Sequence, residues 1–380
     1  MKSQKALRVA VVLLVAGCVE SAQAQSYTAL DLGSSTAVGI NNSGQVVGYS
    51  GIPIAGNLDT FQAFITGANG SGRTDLGTLG GSASWASGIN SSGQVVGRSS
   101  IDPYKGTDHA FITGANGVGM NDLGTLGGTY SSASGINSSG QVAGFSYSSG
   151  NSSYHAFITG ANGSGMTDLG TLGGTHSYAN GINNSGQVVG NSMLSGSSFY
   201  HAFITGANGV GMTDLGTLGG ADSWASGINN SGQVVGGYSD STSGAFISGA
   251  FITGANGVGM NDLGTLGGRY TYAHGINNSG QVVGYSMLSG NSFYHAFITG
   301  ANGSGITDLN SMVTLANGAY LQIANGINDN GQIVATGSDG HSYLLTLTAP
   351  VPEPETYAML LAGLGLIGVI SRRRTTKSIV

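Results

Sequence analysis

The chain has 380 residues, of which 70 are Gly and only 7% are charged, yet 40% are apolar, which excludes a wholly disordered chain. Residues 25–351 contain 14 Asp and four Lys or Arg, a formal charge of about −10 that repels phosphate backbones and excludes nucleic acid as a partner. The single cysteine, Cys18, lies in the N-terminal segment, so the rest of the chain has no disulfide, cysteine-ligated zinc or thiol nucleophile.

Residues 1–24 have the three parts of a secretory signal peptide. Three basic residues precede an apolar run, Val9–Ala16, and Ala22-Gln23-Ala24 forms a small-residue cleavage site. We expect cleavage between Ala24 and Gln25. An alternative is lipidation of Cys18, because Val15-Ala16-Gly17-Cys18 resembles a lipobox.

The region 25–349 consists of seven copies of one repeat, marked by three motifs. The motif Gly-Ile-Asn-x-x-Gly-Gln begins at Gly39, Gly88, Gly135, Gly181, Gly227, Gly275 and Gly326. The motif Ala-Phe-Ile-Thr begins at Ala63, Ala110, Ala156, Ala202, Ala250 and Ala296, with a degenerate copy from Tyr343. The motif Asp-Leu-Gly begins at Asp31, Asp75, Asp122, Asp168, Asp214 and Asp262, with a variant at Asp308.

Each repeat predicts four short strands separated by Asn- and Gly-rich turns. In the second repeat we predict strands over Ser84–Asn90, Gln94–Ser99, Ala110–Thr113 and Met120–Leu123, because polar and apolar residues alternate there with period two. We expect helices only in the N-terminal signal and in the C-terminal tail.

The repeats follow each other at intervals of 46 to 51 residues. A repeated unit of this length with four strands predicts an all-β fold, a seven-bladed β-propeller of four-stranded antiparallel blades. The region begins with an Asp-Leu-Gly strand, Thr28–Leu32, and ends with an Ala-Phe-Ile equivalent, Tyr343–Leu347. The N-terminal strand can therefore supply the fourth strand of the last blade and close the ring. The alternative architecture is an open β-solenoid.

The repeats resemble the extracellular HAF-repeat family. The name-giving tripeptide stands at His109, His155, His201 and His295, each followed by Ala-Phe, and the other two motifs recur in fixed order. The sequence departs from this pattern where Gln62, Gly249 and Ser342 replace the histidine. The resemblance implies an exported protein, often with a sorting tail, and implies no particular reaction.

Residues 350–380 predict a membrane-sorting tail. Pro352-Glu353-Pro354 precedes an apolar stretch, Tyr357–Ile370, which is short for a full membrane span, and then Arg372, Arg373 and Arg374. This order resembles the PEP-CTERM sorting signal. The resemblance implies an exosortase-type membrane protease as partner, in a Gram-negative bacterium that makes exopolysaccharide, with membrane attachment through a transmembrane helix before processing. The alternative is a plain tail anchor.

The repeated histidines and aspartates favour structural roles. The histidines stand on separate repeats without a second ligand at short spacing, so we expect no metal, and hydrogen bonds to a neighbouring blade. The aspartates of Asp-Leu-Gly are expected to cap tight turns. No cofactor is expected.

One position in the repeat is a candidate for ligand binding. Three residues before the Gly of Gly-Ile-Asn stand Thr36, Trp85, Ser132, Tyr178, Trp224, Tyr272 and Ile323. The four aromatic members, Trp85, Tyr178, Trp224 and Tyr272, either ring one face and stack on sugars, or pack between blades.

The sequence as a whole predicts a non-enzymatic protein of the cell surface or extracellular matrix that binds or scaffolds exopolysaccharide. Residues 25–352 contain no Glu, and near-identical repeats do not provide two carboxylates in distinct environments. One alternative is a polysaccharide lyase or hydrolase that uses loops such as Ser50–Thr60 or Ser100–Asp108. Another is a purely structural surface protein.

Overall fold

The computed structural model describes residues 25–52, 60–240, 247–290 and 293–348. One compact unit, Ser26–Thr348, contains all the strands of the described residues. The predicted signal peptide, its cleavage site at Ala24 and the sorting tail, including Pro352–Pro354 and the terminal arginines, lie outside the described residues. The boundaries predicted for these segments therefore stay predictions.

The described residues form strands and short 3₁₀ helices and contain no α-helix. The strands are β1 (Tyr27–Asp31), β2 (Thr36–Ile40), β3 (Val46–Ile52), β4 (Thr60–Thr66), β5 (Arg73–Asp75), β6 (Ser84–Ile89), β7 (Val95–Ser100), β8 (Asp108–Thr113), β9 (Met120–Asp122), β10 (Gly127–Ile136), β11 (Val142–Ser148), β12 (Tyr154–Thr159), β13 (Met166–Gly170), β14 (Gly173–Ile182), β15 (Val188–Leu194), β16 (Tyr200–Thr205), β17 (Met212–Gly216), β18 (Asp222–Ile228), β19 (Val234–Asp240), β20 (Ile247–Thr253), β21 (Met260–Asp262), β22 (Gly267–Ile276), β23 (Val282–Leu288), β24 (Tyr294–Thr299), β25 (Ile306–Asp308), β26 (Leu321–Ile327), β27 (Ile333–Gly337) and β28 (Ser342–Leu347). The 3₁₀ helices are Ala68–Gly70, Ala115–Gly117, Ala161–Gly163, Ala207–Gly209, Ala255–Gly257, Ala301–Gly303, Leu309–Ser311 and Ala316–Gly318.

In the first six repeats, four successive strands pair in chain order as an antiparallel sheet. Four of these sheets are separate, and β18–β21 and β22–β25 are joined into one eight-stranded sheet by a single parallel bridge between Ser248 and Tyr270. The predicted strands of the second repeat are confirmed to within two residues at each end, as β6 to β9. The all-β prediction is therefore correct for the described residues.

The two ends of the strand region meet in one sheet. Strand β1 pairs antiparallel with β28, with Tyr27 opposite Leu347 and Asp31 opposite Tyr343, and β28 continues to β27 and β26. The predicted closure by the N-terminal strand is thereby confirmed. It also removes an unpaired edge from both terminal strands.

The Ala-Asn-Gly turns have the backbone that their residue types allow. Asn116 has φ 54° and Gly117 has φ 74°, and the same left-handed Asn recurs at the five equivalent turns. Asn and Gly adopt this region at low cost, so the motif sets a tight link between the third and fourth strands.

The hydrophobic core lies between neighbouring sheets. Phe157, fully buried on the third strand of one sheet, packs with Val96, Ala110 and Ile112 of the preceding sheet, and the same arrangement recurs from sheet to sheet. Since both faces of the third strand are covered, all three residues of Ala-Phe-Ile are buried. Each sheet is thus stabilised by its two neighbours.

The asparagines of Gly-Ile-Asn join the sheets in a closed circle. The Nδ2 of Asn137 donates to the carbonyl of Asn183 in the next sheet, while its Oδ1 accepts the N–H groups of Ser139 and Gln141. The same inter-sheet bond, 2.9–3.2 Å long, runs from Asn41 to Asn90, Asn90 to Asn137, Asn137 to Asn183, Asn183 to Asn229, Asn229 to Asn277, Asn277 to Asn328 and Asn328 back to Asn41. This return to the first repeat is the geometry of a propeller and not of an open solenoid.

The glycines of Gly-Ile-Asn let the innermost strands approach one another. A Cβ atom on Gly135 would lie 3.5 Å from the Cα of Gly181 in the next sheet, and a Cβ on Gly275 only 3.3 Å from that of Gly326. The motif therefore sets the narrow centre of the ring.

Candidate functional site

The propeller has two faces, which differ in sequence variability. The turns between the first and second strands and between the third and fourth strands share one face, which we call the Asn face. The links between the second and third strands and between successive sheets share the other, which we call the loop face. The Gly-Ile-Asn and Ala-Asn-Gly turns build the Asn face, whereas the loop face carries the Asp-Leu-Gly turns and the segments that differ between repeats.

On the Asn face the central passage opens into a polar cavity of about 220 Å³. Its mouth is lined by Asn42, Ser91, Ser138, Asn184, Asn230, Asn278 and Asp329. Most of these groups bond to each other around the ring, as when the N–H of Asn184 donates to Oδ1 of Asn230. Their polar groups are thus largely used within the protein.

Asp329 is the one charged member of this mouth. Its Oδ1 accepts the N–H of Asn278, and its Oδ2 accepts the Nδ2 groups of Asn278 and Asn42, each at 2.9 Å. Partial burial raises the pKa of Asp329, but these hydrogen bonds outweigh it and hold the pKa below its ordinary value of 3.8. The carboxylate therefore joins the last repeat to the first.

On the loop face each sheet carries one cross-strand pair of variable residues, which we call the variable pair. It consists of the residue three before the Gly of Gly-Ile-Asn and its partner on the second strand. The pairs are Thr36 with Tyr49, Trp85 with Arg98, Ser132 with Phe145, Tyr178 with Asn191, Trp224 with Gly237, Tyr272 with Tyr285 and Ile323 with Thr336. Directly opposed residues project from the same side of a sheet, so each pair forms one patch.

The four predicted ligand residues are half-buried members of these pairs, and they do not form one continuous ring. Thr36, Ser132 and Ile323 interrupt the series. Trp85 contacts Phe61 of the preceding sheet at 5.9 Å between ring centroids, and the guanidinium of Arg98 lies 4.1 Å from its ring centroid. The aromatic residues therefore form separate clusters.

The other two clusters also bridge neighbouring sheets. Tyr178 lies 5.0 Å from Phe145 and 5.6 Å from Tyr154, both in the preceding sheet. Trp224 and Tyr272, in adjacent sheets, stack with centroids 6.0 Å apart and planes 24° apart. All four side chains pack between sheets, and their role in ligand binding stays a prediction.

One of these clusters borders an open pocket of about 470 Å³, which we call the Trp224 pocket. It is lined by Asn180, Asn191, Tyr200, Asp222, Trp224 and Tyr272. The Nδ2 of Asn180 donates to Oδ1 of Asn191 and to the carbonyl of Ala225, and the N–H of Tyr200 donates to Oδ1 of Asp222. Sequence reasoning identified Trp224 and Tyr272 but missed Tyr200 and the other polar residues of the pocket.

The pocket exists because two variable pairs carry small residues. At the position of Asn191 and Gly237, four of the other five sheets carry Tyr49, Arg98, Phe145 or Tyr285, and the last sheet carries Thr336. A Cβ atom on Gly237 would lie 2.8 Å from Nε1 of Trp224 and 3.1 Å from a ring carbon of Tyr272, so Trp224 occupies the space beside this glycine. Variation after Val-Val-Gly is the sequence signal that identifies the pocket.

Asp222 is the acidic residue among the six that line the pocket. Burial raises the pKa of the Tyr272 and Tyr178 hydroxyls, which stay neutral. Burial lowers the pKa of His274, whose ring contacts Tyr272, to about 4, against the opposing effect of its hydrogen bond with Asn325. No Lys or Arg is among the lining residues.

The histidines of His-Ala-Phe lie at the start of the third strand, as expected, but the prediction of a bond to a neighbouring blade is wrong. Nδ1 of His155 lies 2.7 Å from Oδ2 of Asp168 in the same sheet. The equivalent pairs are His109 with Asp122, His201 with Asp214 and His295 with Asp308. Antiparallel pairing of the third and fourth strands brings the two motifs together.

The aspartates also cap the turn that follows them, as predicted. Oδ1 of Asp168 accepts the N–H of Gly170 at 2.7 Å, and Asp31, Asp122, Asp214, Asp262 and Asp308 make the equivalent bond. In the first repeat, which lacks the histidine, Arg73 pairs with Asp75 instead.

A fifth pair of this kind was missed by sequence reasoning. Nδ1 of His341 lies 2.9 Å from Oδ2 of Asp31, across the strands that close the ring. The prediction that Ser342 replaces the histidine is wrong: Ser342 lies opposite Thr336 as Ala156 lies opposite Phe145, so Ser342 is the equivalent of the alanine and His341 takes the histidine position.

These residues do not assemble into a metal site: within the described ranges, His and Asp side chains nowhere gather in groups of three or more suited to hold an ion. Nor does the described part of the chain include a helix of the length and apolar character needed to cross a membrane.

Comparison with known proteins identifies the tail and the fold. Residues 350–374 match the PEP-CTERM protein-sorting motif, so the chain carries the C-terminal sorting tail of an exported protein. No curated protein matches the chain.

Among solved structures, the β-propeller domain of the Trilobed protease from Pyrococcus furiosus is similar at 10% identity, over 87% of this chain and 100% of that one, with a TM-score of 0.54. A prolyl endopeptidase matches at 10% identity over 86% of this chain and 50% of that one, with a TM-score of 0.52. TolB from Acinetobacter baumannii matches at 12% identity over 69% of this chain, with a TM-score of 0.46, and the chain spans 62% of its length. At these identities the likeness shows the propeller fold alone.

Proposed function

We propose that this chain is an HAF-repeat protein of the cell surface or extracellular matrix, whose seven repeats are the blades of one propeller and which binds or scaffolds exopolysaccharide without catalysis. The repeated motifs and the seven-membered Asn circle support the blade count. The sorting motif at 350–374 supports export, processing by an exosortase-type protease and a Gram-negative host.

The observation that carries the binding role is the chemistry of the loop face. Aromatic side chains occur there at equivalent positions of several sheets, and Tyr104, Phe199 and Phe293 on its loops are 93%, 46% and 59% exposed. The C–H faces of sugars pack on aromatic planes, while amides and carboxylates bond hydroxyls. Weak contacts at several such sites add up on a long polymer.

A retention experiment tests this proposal. The purified mature protein is run in affinity electrophoresis through gels that contain the host's exopolysaccharide. We expect retardation, and we expect Trp85→Ala and Trp224→Ala each to reduce it, whereas His155→Gln, which changes a side chain paired with Asp168, leaves it unchanged. Unretarded migration of the folded protein would contradict the proposal and favour a purely structural surface protein. New reducing ends or unsaturated sugar products would instead favour the hydrolase or lyase alternative.

The sorting role has its own test. Deletion of residues 352–380 is expected to move the protein from the cell surface into the medium or the periplasm. Substitution of Arg372, Arg373 and Arg374 by Gln should have the same effect if the tail is read as a whole. Unchanged surface retention of both variants contradicts it.

A further inference from the structure

We propose that the Trp224 pocket is a subsite for one neutral sugar residue of an extracellular polysaccharide, and that it rejects uronates. This inference rests on the proposed function and assigns it to one place on the ring. Trp224 and Tyr272 supply the aromatic surface, and Asn191, Asp222 and the Tyr200 hydroxyl supply the polar contacts.

The pocket has the donors and acceptors that a sugar requires. Oδ1 of Asp222 accepts the N–H of Tyr200, and Oδ2 has no bonding partner among the described residues, so it is available to a sugar hydroxyl. Asn191 uses Oδ1 as an acceptor for Asn180, and its Nδ2 group remains available as a donor. A hydroxyl pair of a pyranose can use both groups at once.

Charge selects the class of sugar. Asp222 is the charged residue of the pocket, and residues 25–351 carry a formal charge of about −10. A uronate carboxylate placed beside Asp222 would be repelled, and no Lys or Arg lines the pocket to compensate. A neutral hexose meets no such penalty.

In the neighbouring sheets, the second-strand members of the variable pairs have larger side chains than those beside the Trp224 pocket. In the third sheet Phe145 fills the place that Asn191 occupies in the fourth, and in the sixth sheet Tyr285 does so. The pocket lies where the two small residues Asn191 and Gly237 follow each other around the ring. An aromatic side chain that closes the pocket should leave the fold intact, because neighbouring sheets already carry one at this position.

Fluorescence of a single tryptophan tests the proposal directly, because Trp85 and Trp224 are the two tryptophans of the chain. In the mature protein with Trp85→Phe, Trp224 alone reports on the pocket. Neutral hexasaccharides of glucose, mannose or galactose are titrated in turn, with hexamannuronate and a glucosamine hexamer as charged probes. We expect a saturable change in emission with at least one neutral probe and none with hexamannuronate.

Asn191→Phe is the pocket variant, and Thr336→Phe at the equivalent position of the last sheet is its matched control. Asn191→Phe should weaken neutral binding by about tenfold or more, and Thr336→Phe should leave it unchanged. Equal or tighter binding of hexamannuronate or the glucosamine hexamer, or an unaffected Asn191→Phe, overturns the subsite. If no neutral probe responds while the host polysaccharide still retards the wild type, the subsite is wrong and the proposed function survives; without retardation, the proposed function fails.

Discussion

His341 and Asp31, 310 residues apart in the chain, lie 2.9 Å apart between Nδ1 and Oδ2 and form an ion pair across the two strands that close the propeller. The hydrogen bond with His341 lowers the pKa of Asp31, and the same bond raises the pKa of His341. The closure therefore contains a titratable contact.

This contact predicts a pH-dependent contribution to stability. Because the pKa of His341 is raised, the stabilisation that His341 provides is complete below its ordinary pKa of 6.5. This stabilisation is lost as the pH rises through the pKa of His341 in the folded protein. Because the pKa of Asp31 is lowered, the stabilisation that Asp31 provides is present above its ordinary pKa of 3.8. This stabilisation is lost as the pH falls through the pKa of Asp31 in the folded protein. We expect His341→Ala to lower the melting temperature more at about pH 5.5 than at about pH 9. A difference from the wild type that does not change with pH, or no coupling to Asp31→Asn in a double-mutant cycle, contradicts this.

The circle of hydrogen bonds between the Gly-Ile-Asn asparagines predicts that the buried side-chain amide of Asn183 contributes more to stability than the exposed amide of Asn184. Asn183 is 3% exposed, and Asn183→Ala leaves the N–H groups of Ser185 and Gln187 without their acceptor. We expect a loss of about 2–4 kcal/mol in the free energy of unfolding, measured with urea. Asn184→Ser is the control, because Ser138 and Ser91 occupy its position in two other repeats, and it should cost at most about 0.5 kcal/mol. Equal losses in both variants would show that the circle does not stabilise the ring.

The sequence predicted the strands, the turns and the closure because each depends on local motifs repeated in a fixed order. Partners across strands were harder to predict. The alignment of Ser342 with the histidine position hid His341, and the link between Asp168 and His155 depends on a register that no spacing reveals. The Trp224 pocket depends on the small residues Asn191 and Gly237, and an absence of bulk becomes visible only when the cross-strand partner is known.

A glycine on the second strand is predicted to be indispensable. A Cβ atom on Gly190 would lie 1.8 Å from the carbonyl oxygen of Tyr178 and 2.9 Å from the Cα of Ala179, both backbone atoms. We therefore expect Gly190→Ala to destabilise the protein by about 3 kcal/mol or more in calorimetry or urea unfolding. The last sheet carries Ala335 here, and its register shifts between Leu321 and Ile323, whereas Ser177 and Tyr178 of the fourth sheet pair in register.

Ala335→Gly is accordingly the matched control for Gly190→Ala. It should cost only about 0.5–1 kcal/mol, the usual price of glycine in a strand. A Gly190→Ala variant as stable as the wild type would mean that the strands separate easily at this point.

The His–Asp pairs within single sheets are predicted to be structural and individually modest. His155→Gln places in the third sheet the residue that stands at Gln62 in the first, and Asp168 keeps its bond to the N–H of Gly170. We expect a change below about 1 kcal/mol in the free energy of unfolding, whereas Asp168→Ala should cost more, because it loses the turn cap as well.

Metal analysis is the companion measurement for these pairs. Addition of zinc or copper to the wild type should leave its melting temperature unchanged, since each pair offers one imidazole and one carboxylate. Stoichiometric zinc or copper in the purified protein would instead identify the pairs as ligands.

The closure predicts that β1 can be moved to the other end of the chain but not removed. The N–H of Thr348 donates to the carbonyl of Ser26 at 2.9 Å, so a short Gly-rich turn between these residues would make β28 and β1 a hairpin. A permuted protein that begins at Ser35 and ends with this turn and residues 26–34 should match the wild type in urea unfolding.

Deletion of residues 26–34 without their return is the matched control for the permutation. It leaves one edge of β28 unpaired and removes Tyr27, which is 6% exposed and packs in the core of the last sheet. We expect this variant to lose cooperative unfolding or to aggregate, as unpaired edges do. If the deleted form unfolds like the wild type, β1 does not hold the ring closed. If the permuted form does not fold, although it differs from the wild type only in chain order, the closure requires that β1 and β28 belong to opposite ends of the chain. Success of the permutation together with failure of the deletion would show that pairing itself, and not the position of the chain ends, closes the propeller.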